Sequence, residues 1–108
     1  VARTLAARPA ALPANVPSLI LAHDPHLFPR CAAAGAHLVL SGHTHGGQIA
    51  VPFFARAFNI ARIAYRHTAG LYREGDSVLH VSRGAGTTGP PLRIGSPSEI
   101  TLLVLRAA

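Results

Sequence analysis

Residues 36–47 have the sequence AHLVLSGHTHGG, in which an alternating apolar stretch runs directly into a glycine-rich loop. The alternation predicts a buried β-strand ending at Ser41, and Gly42 frees the backbone to turn. The strand therefore delivers two imidazoles, His43 and His45, to one edge of a sheet. Neutral imidazole is a common ligand of zinc and also suits iron and nickel, and flanking glycines allow close approach, so we interpret this loop as metal-binding.

A second strand is predicted immediately upstream. Residues 18–22 form a continuous apolar run after Pro17, a pattern typical of a strand that is buried on both faces. Asp24 and Pro25 are a favourable helix start, and Gly35 closes the helical segment. Strand, helix and strand then make one βαβ unit, whose two strands should be parallel.

The parallel arrangement predicts where the histidines meet. Parallel strands end on the same edge of a sheet, and ligands of open α/β sheets bind at that edge. His23 follows the first strand, so we expect it to converge with His43 and His45. A bare H-x-H pattern would describe ordinary loop residues, but the preceding strand, the glycines and His23 favour three metal ligands. We interpret the other histidines as surface or core residues: His26, His37, His67 and His80.

The remaining segments carry weaker patterns. Downstream, an alternating stretch, a turn at Glu74-Gly75-Asp76 and a second alternating stretch predict a β-hairpin over residues 65–82. Four further predictions complete the chain: a short helix and extended connection at 1–17, a short strand at 48–52, a loop or helix over the site at 53–63, and a final strand at 99–106. Between hairpin and final strand, residues 83–95 predict a long irregular loop.

Length and composition restrict the number of domains, membrane segments and disulfides. The 108 residues, 49% of them apolar, suit one small domain and exclude two. No apolar run is long enough to span a bilayer, and no signal-peptide pattern is present. The chain lacks Met and starts at Val1, so we expect a fragment or a processed product. Its single cysteine, Cys31, excludes an internal disulfide and predicts a buried thiol.

The charge is strongly basic but diffuse. The formal net charge of +6 comes from ten arginines and no lysine, spread from Arg3 to Arg106. No basic run and no interleaved aromatic residues are present, so we expect no nucleic-acid partner. Arg83 could reach an anionic substrate, although an ion pair is the preferred interpretation.

Carboxylates are too few for a complete dinuclear site. Two divalent ions close together need anionic ligands, usually including a bridging carboxylate. The chain has four carboxylates, and none forms a pair near the histidines. Either one ion lies on three histidines, or carboxylates come from elsewhere, and the inferred missing start favours the second.

Five motifs together resemble a known family. They are LAHDP at 21–25, GHTHGGQ at 42–48, GLY at 70–72, SRGAGTTGPP at 82–91 and SPSEI at 96–100. Over residues 18–106 the chain resembles the C-terminal half of bacterial calcineurin-like metallophosphoesterases. The GHTHGG element is specific for that superfamily. The SRGAGTTGPP element points to a subgroup with membrane-associated phosphodiesterases and UDP-diacylglucosamine pyrophosphatases.

The resemblance implies roles for individual residues. It assigns His23 and His43 to one metal ion and His45 to a second. The family's D-x-H, G-D and G-N-H elements, which supply the other ligands and the leaving-group histidine, do not occur in this sequence. The implied fold is α+β, of the four-layer metallophosphoesterase type, with a partial β-sandwich flanked by helices. Residues 18–108 would be its C-terminal part and 1–17 an N-terminal connection.

The implied activity is phosphodiester or pyrophosphate hydrolysis by a hydroxide bound to two divalent ions, which the ligand types allow to be Zn, Mn, Fe or Ni. The substrate would be a phosphorylated small molecule or a lipid-linked one. We expect a bacterial protein, cytoplasmic or peripherally membrane-associated, and a fragment that is inactive alone. The alternative is a non-catalytic metal- or anion-binding module with one ion on three histidines.

Overall fold

A computed structural model describes residues 16–49 and 64–106 of the chain. These residues form a mixed four-stranded sheet in the order β1-β2-β4-β3. The strands are Leu19–Leu21 (β1), Leu38–Ser41 (β2), Gly70–Glu74 (β3) and Ser77–Val81 (β4). The helix Phe28–Ala33 (α1) and the short 3-10 helices Pro25–Leu27 and His45–Gly47 accompany them.

The predicted βαβ unit is confirmed. β1 pairs with β2 in parallel, and the helical segment lies between them in sequence. The Asp24 carboxylate accepts a 2.9 Å hydrogen bond from the His26 backbone N–H, which caps the segment at its start. Gly35 follows the helix at φ 87°, a backbone conformation that glycine adopts without steric cost.

The predicted hairpin is also confirmed, although it is shorter at its start. β3 and β4 are antiparallel and are joined at Gly75, which has a φ of 58°. β4 lies beside β2 in parallel, so three parallel strands run toward one edge. The residues before β3 are a loop tied down by Tyr72, whose hydroxyl accepts from the Thr68 N–H and donates to the Ala69 carbonyl.

The core lies on one face of the sheet. Val39, Leu79 and Val81 point from adjacent strands toward Phe28 and Cys31 of α1, and all five are buried. Cys31 is fully buried, as predicted, and burial raises the pKa of its thiol. This packing joins helix to sheet and fixes the strand ends that carry the histidines.

The opposite face carries exposed leucines on its two edge strands, although His80 between them is buried. Leu40 of β2 pairs with His80 of β4, which pairs with Leu71 of β3, so these side chains share that face. Leu71 is 68% exposed and Leu21 of β1 is 62% exposed.

The predicted final strand is wrong. Residues 99–106 form no strand, and Ile100 and Leu102 are 95% and 87% exposed. Alternation makes a strand only where a neighbouring strand can accept its backbone hydrogen bonds, and the described residues provide no such neighbour here.

Other predictions lie wholly or partly outside the described residues. At 48–52 the structure describes 48 and 49, and Ile49 makes an isolated bridge to Ile94. The segments 1–15 and 53–63 are not described. The four-layer architecture and the domain division at residue 17 stay predictions. Among the described residues, no helix has both the length and the apolar character needed to cross a bilayer.

Candidate metal centre

Two of the three predicted histidines lie side by side at the carboxyl edge of the parallel strands. The hydrogen-bonded alignment of β1 and β2 continues past the strands, since the Gly42 N–H donates to the His23 carbonyl at 3.3 Å. The ring centroids of His23 and His43 are 4.7 Å apart, with their planes at 59°. Both side chains are exposed. The strand topology therefore brings this pair together as predicted.

The loop after β2 has an unusual backbone. His43, His45 and Gln48 have φ values of 69°, 51° and 46°, a left-handed region that non-glycine residues seldom occupy. Each such residue costs on the order of 1 kcal/mol or more, and such strain persists only where surrounding structure holds it. Thr44 supplies part of this hold, because its buried hydroxyl donates a 2.6 Å hydrogen bond to the Thr68 carbonyl. Strain of this kind concentrates at functional sites.

His45 faces a different partner from His43. Its Nδ1 lies 3.2 Å from the Gly86 carbonyl oxygen, and its Nε2 lies 3.0 Å from the Thr88 hydroxyl. A carbonyl only accepts, so Nδ1 carries the proton and Nε2 presents its lone pair. The expected meeting of three imidazoles is not seen. Among the described residues, no group of three His, Cys, Asp or Glu side chains lies close enough to hold one ion.

Sequence reasoning missed Tyr65. Its hydroxyl shares a 2.8 Å hydrogen bond with His43 Nε2, and its ring stacks on His26 with centroids 4.6 Å apart. His26 in turn lies 3.3 Å from the Asp24 carboxylate. The hydrogen bond orients the His43 ring, which leaves its Nδ1 without a partner among the described residues. No local pattern predicts this contact, because the two residues are 22 positions apart.

Arg83 forms an ion pair with Glu99, its guanidinium lying 2.7 Å from the carboxylate. Burial of Glu99 opposes its ionisation, but hydrogen bonds from Thr101 and Arg83 prevail and lower the pKa of Glu99. The Arg83 side chain also covers Gly46, where an added Cβ would lie 2.7 Å from its Cγ. A role of Arg83 in substrate binding stays a prediction.

The glycine-rich loop over residues 83–97 is docked on the histidine loop by side chains. The Gln48 amide donates to the Thr88 carbonyl at 2.9 Å and accepts from the Thr88 N–H at 2.7 Å. Arg93 and Ser96 both donate to the His45 carbonyl. Ser96 belongs to the SPSEI motif at 96–100, whereas the only sequence signal for Arg93 is its place in a loop rich in glycine and proline.

A cavity of about 500 Å³ opens beside His23. It is lined by the ends of β1, β2 and β4 and by the segment after Glu99, through Leu21, His23, Leu40, Ser41, His80 and Leu103. Ser41 is 8% exposed, and its hydroxyl has no hydrogen-bond partner among the described residues. The predicted site therefore adjoins an apolar recess in the sheet edge.

Three relatives share this part of the molecule. The uncharacterized metallophosphoesterase YkuE of Bacillus subtilis is 37% identical over 90 residues, 83% of this chain and 31% of that protein. Phosphodiesterase YaeI of Escherichia coli is 37% identical over 97 residues, 90% of this chain and 35% of that protein. A bovine transmembrane protein with metallophosphoesterase domain is 40% identical over 95 residues, which are 85% of this chain and 20% of that protein. The chain belongs to the metallophosphoesterase family.

This metallophosphoesterase chain spans about a fifth to a third of the length of those relatives. No family model matches it, and no solved structure does. The relatives include bacterial and vertebrate proteins.

The donor chemistry fits divalent metal ions in part. The paired imidazoles of His23 and His43 and the lone pair on His45 Nε2 are suitable nitrogen donors. The four carboxylates have other partners or positions. Asp24 caps a helix and Glu99 pairs with Arg83, while Glu74 and Asp76 flank the hairpin turn, at the opposite edge of the sheet from the histidines. The described residues therefore offer nitrogen donors but bring no carboxylate into a group of three with them.

Proposed function

We propose that this chain provides the histidine-bearing part of a dinuclear, metal-dependent phosphoesterase site. The observation that carries the proposal is the separation of the histidines. His23 and His43 are paired at 4.7 Å, whereas both ring nitrogens of His45 are engaged by the loop over residues 83–97. Two imidazoles on one ion and a third on another fit this arrangement better than three imidazoles on a single ion. The mononuclear alternative is therefore not favoured.

Each histidine is held by a different element. His23 and His43 would bind one ion from the ends of β1 and β2, with Tyr65 fixing the orientation of the His43 ring. His45 would bind the other ion through Nε2, where the ion would replace the Thr88 hydroxyl, because its Nδ1 donates to the Gly86 carbonyl. The chemistry that two such ions would supply is Lewis acidity, which would lower the pKa of a water molecule and stabilise the charge that develops at phosphorus. The anionic ligands and the leaving-group acid would come from the rest of a longer chain.

We infer a phosphodiester or pyrophosphate as the substrate class, since one relative is named a phosphodiesterase. A phosphorylated small molecule and a lipid-linked substrate are both consistent with the open apolar recess beside His23. The relatives named transmembrane proteins favour a place at a membrane surface, where the net charge of +6 would attract anionic lipid.

The test measures metal content and hydrolysis of an aryl phosphodiester, on the 108-residue chain and on a chain extended upstream in its gene. We expect two ions per chain and turnover in the extended chain, and neither in the short one. His43→Ala should lose both properties in the extended chain. His37→Asn is the matched control, because His37 lies just before β2, away from the site, and asparagine retains an acceptor for Ser18. One ion per short chain, with no gain on extension, would contradict the dinuclear proposal.

A further inference from the structure

Arg93 lies among backbone carbonyl groups rather than beside an acid. Its Nε donates to the Ser96 carbonyl at 2.6 Å and its Nη1 to the Gly86 carbonyl at 2.5 Å. Its Nη2 donates to the carbonyls of His45 and Arg83 at 3.0 and 3.1 Å. The ion pairs of the described residues do not include it. A planar guanidinium with five N–H donors can satisfy such a set at once, whereas an ammonium group cannot.

These contacts act on both ends of His45. Arg93 holds the His45 backbone carbonyl, which also accepts a 2.8 Å hydrogen bond from Ser96 Oγ. It also holds the Gly86 carbonyl, and that same oxygen accepts the hydrogen bond of His45 Nδ1. A carbonyl oxygen has two lone pairs and can accept from both groups. One side chain thus fixes the main chain of His45 and the acceptor that orients its ring.

The arrangement does not suit an anion site. Each of the three guanidinium nitrogens already donates to a carbonyl, so a phosphate would have to break several hydrogen bonds to bind there. The carbonyl groups that accept from Arg93 belong to residues 45 to 97, so Arg93 joins the histidine loop to the glycine-rich loop. At φ 51°, His45 needs this kind of external hold.

We propose that Arg93 is a positioning residue: through the Gly86 carbonyl it keeps His45 in the Nδ1–H tautomer and so presents Nε2 as the metal-binding atom. The metal-binding part rests on the proposed function, whereas the tautomer part does not. A hydrogen bond from the second nitrogen of a ligating histidine commonly fixes its tautomer and orientation. Here the acceptor of that hydrogen bond is itself held by Arg93.

The first test is performed without metal on the 108-residue chain. Histidine labelled with ¹⁵N reports each tautomer through long-range ¹H–¹⁵N spectra, recorded above the pH at which imidazole is protonated. We expect His45 to be mainly the Nδ1–H form. Arg93→Met should lower the fraction of that form by roughly twofold or more, because the Gly86 carbonyl loses its anchor. Arg93→Lys should restore it only in part.

Two controls separate positioning from folding. Arg73→Met makes the same change on the exposed edge strand β3, and it should leave the His45 tautomer unchanged. Ser96→Ala removes one donor to the His45 carbonyl and a 3.4 Å acceptor of Arg93 Nη2. It keeps the hydrogen bond from Arg93 Nη1 to the Gly86 carbonyl, so it should also retain the tautomer. The resonances of His67, which packs against Phe28, report whether each variant is folded. An unchanged His45 tautomer in folded Arg93→Met, or an equal change in Ser96→Ala, would overturn the proposal.

The second test measures zinc affinity in the extended chain. Arg93→Met should weaken binding of one of the two ions by roughly 10- to 100-fold, the range typical of residues that orient a ligand. The same substitution in a His45→Gln background should cause no further loss. An equal loss in that background would mean that Arg93 acts on the fold in general, and would overturn the proposal. If the parent chain binds no zinc, the proposed function fails, and the tautomer test still decides the role of Arg93.

Discussion

The two histidines of the H-x-H pattern, one residue apart, depend on different kinds of structure. His43 is placed by the sheet: it follows β2 and meets His23 at the end of β1. His45 is placed by a loop, through Gly86, Thr88 and Arg93, which are 41 to 48 positions away in sequence. The sheet region is held by apolar packing and the loop region by hydrogen bonds to carbonyls. A substitution in the sheet region should therefore unfold the domain as a unit, whereas one in the loop region should rearrange the loop locally.

The largest expected effect is on the sheet region. Leu79 of β4 is fully buried between β2 and α1, so Leu79→Ala should lower the free energy of unfolding by about 2–5 kcal/mol. Leu71→Ala is the matched control, since Leu71 lies on the neighbouring strand and is 68% exposed. It should cost no more than about 0.5 kcal/mol. Denaturant unfolding measures both, and equal losses would show that the open face of the sheet is packed in solution.

The next effect tests the loop region. Gly46→Ala places a Cβ 2.5 Å from Ser96 Oγ and 2.7 Å from Arg83 Cγ, at a φ of 61°. The backbone strain and the overlap together should cost about 2–4 kcal/mol and displace the glycine-rich loop. Gly84→Ala has a similar φ of 65° with nothing within 4 Å of the new Cβ, so it should show the strain alone, about 1 kcal/mol.

The two alanine variants share the backbone strain, so the difference between their unfolding free energies measures the close packing around Gly46. Denaturant unfolding gives the free energies, and the His45 resonances show whether the loop has moved. If both variants lose the same stability, the contact of Gly46 with Arg83 and Ser96 does not hold the loop in solution.

The two tyrosines provide a finer comparison. Tyr65→Phe removes the hydroxyl bonded to His43 and keeps the stack on His26, so it should weaken metal binding roughly 10-fold in the extended chain. Tyr72→Phe removes the hydroxyl that holds Thr68 and Ala69, and it should lower stability by about 1–3 kcal/mol. We expect each variant to leave the other property almost unchanged. A similar loss of metal affinity in both would assign Tyr65 to the fold.

Local patterns predicted the sheet region well. The apolar run at 18–22, the alternation at 36–41 and the turn at Glu74-Gly75-Asp76 each depend on neighbouring residues, and the structure has β1, β2 and the hairpin there. The parallel order then follows from the helix between β1 and β2. Hence the pairing of His23 with His43 could be reasoned from the sequence before any coordinates.

The loop region could not be predicted in this way. Residues 99–106 alternate as clearly as β2 does, but a strand also needs a partner, which the local sequence does not reveal. Arg93 was one arginine among ten, and only the folded chain shows that it meets five carbonyls. His45 and His43 have different partners because the chain turns between them. That turn depends on left-handed φ values at both residues, which the local sequence does not reveal.

The smallest expected effect concerns the ion pair that anchors the glycine-rich loop. The folded-state pKa of Glu99 lies below its ordinary value of 4.5, since its hydrogen bonds outweigh the opposing effect of burial. The stabilisation by Glu99 is therefore complete above pH 4.5 and is lost as the pH falls through the folded-state pKa. Both partners are partly exposed, so the contribution should be below about 1 kcal/mol.

Glu99→Gln isolates this contribution. His67, whose pKa is lowered by burial and by Arg66, also destabilises the fold in acid, as the pH falls below 6.5, but it does so in both proteins. The difference in unfolding free energy between wild type and Glu99→Gln should thus be constant near neutral pH and shrink below pH 4.5. A difference that persists in acid would mean that the loop is held by Arg93 and Ser96 without help from the ion pair. That outcome would sharpen the contrast with the sheet, since the loop would then be held through neutral carbonyls alone.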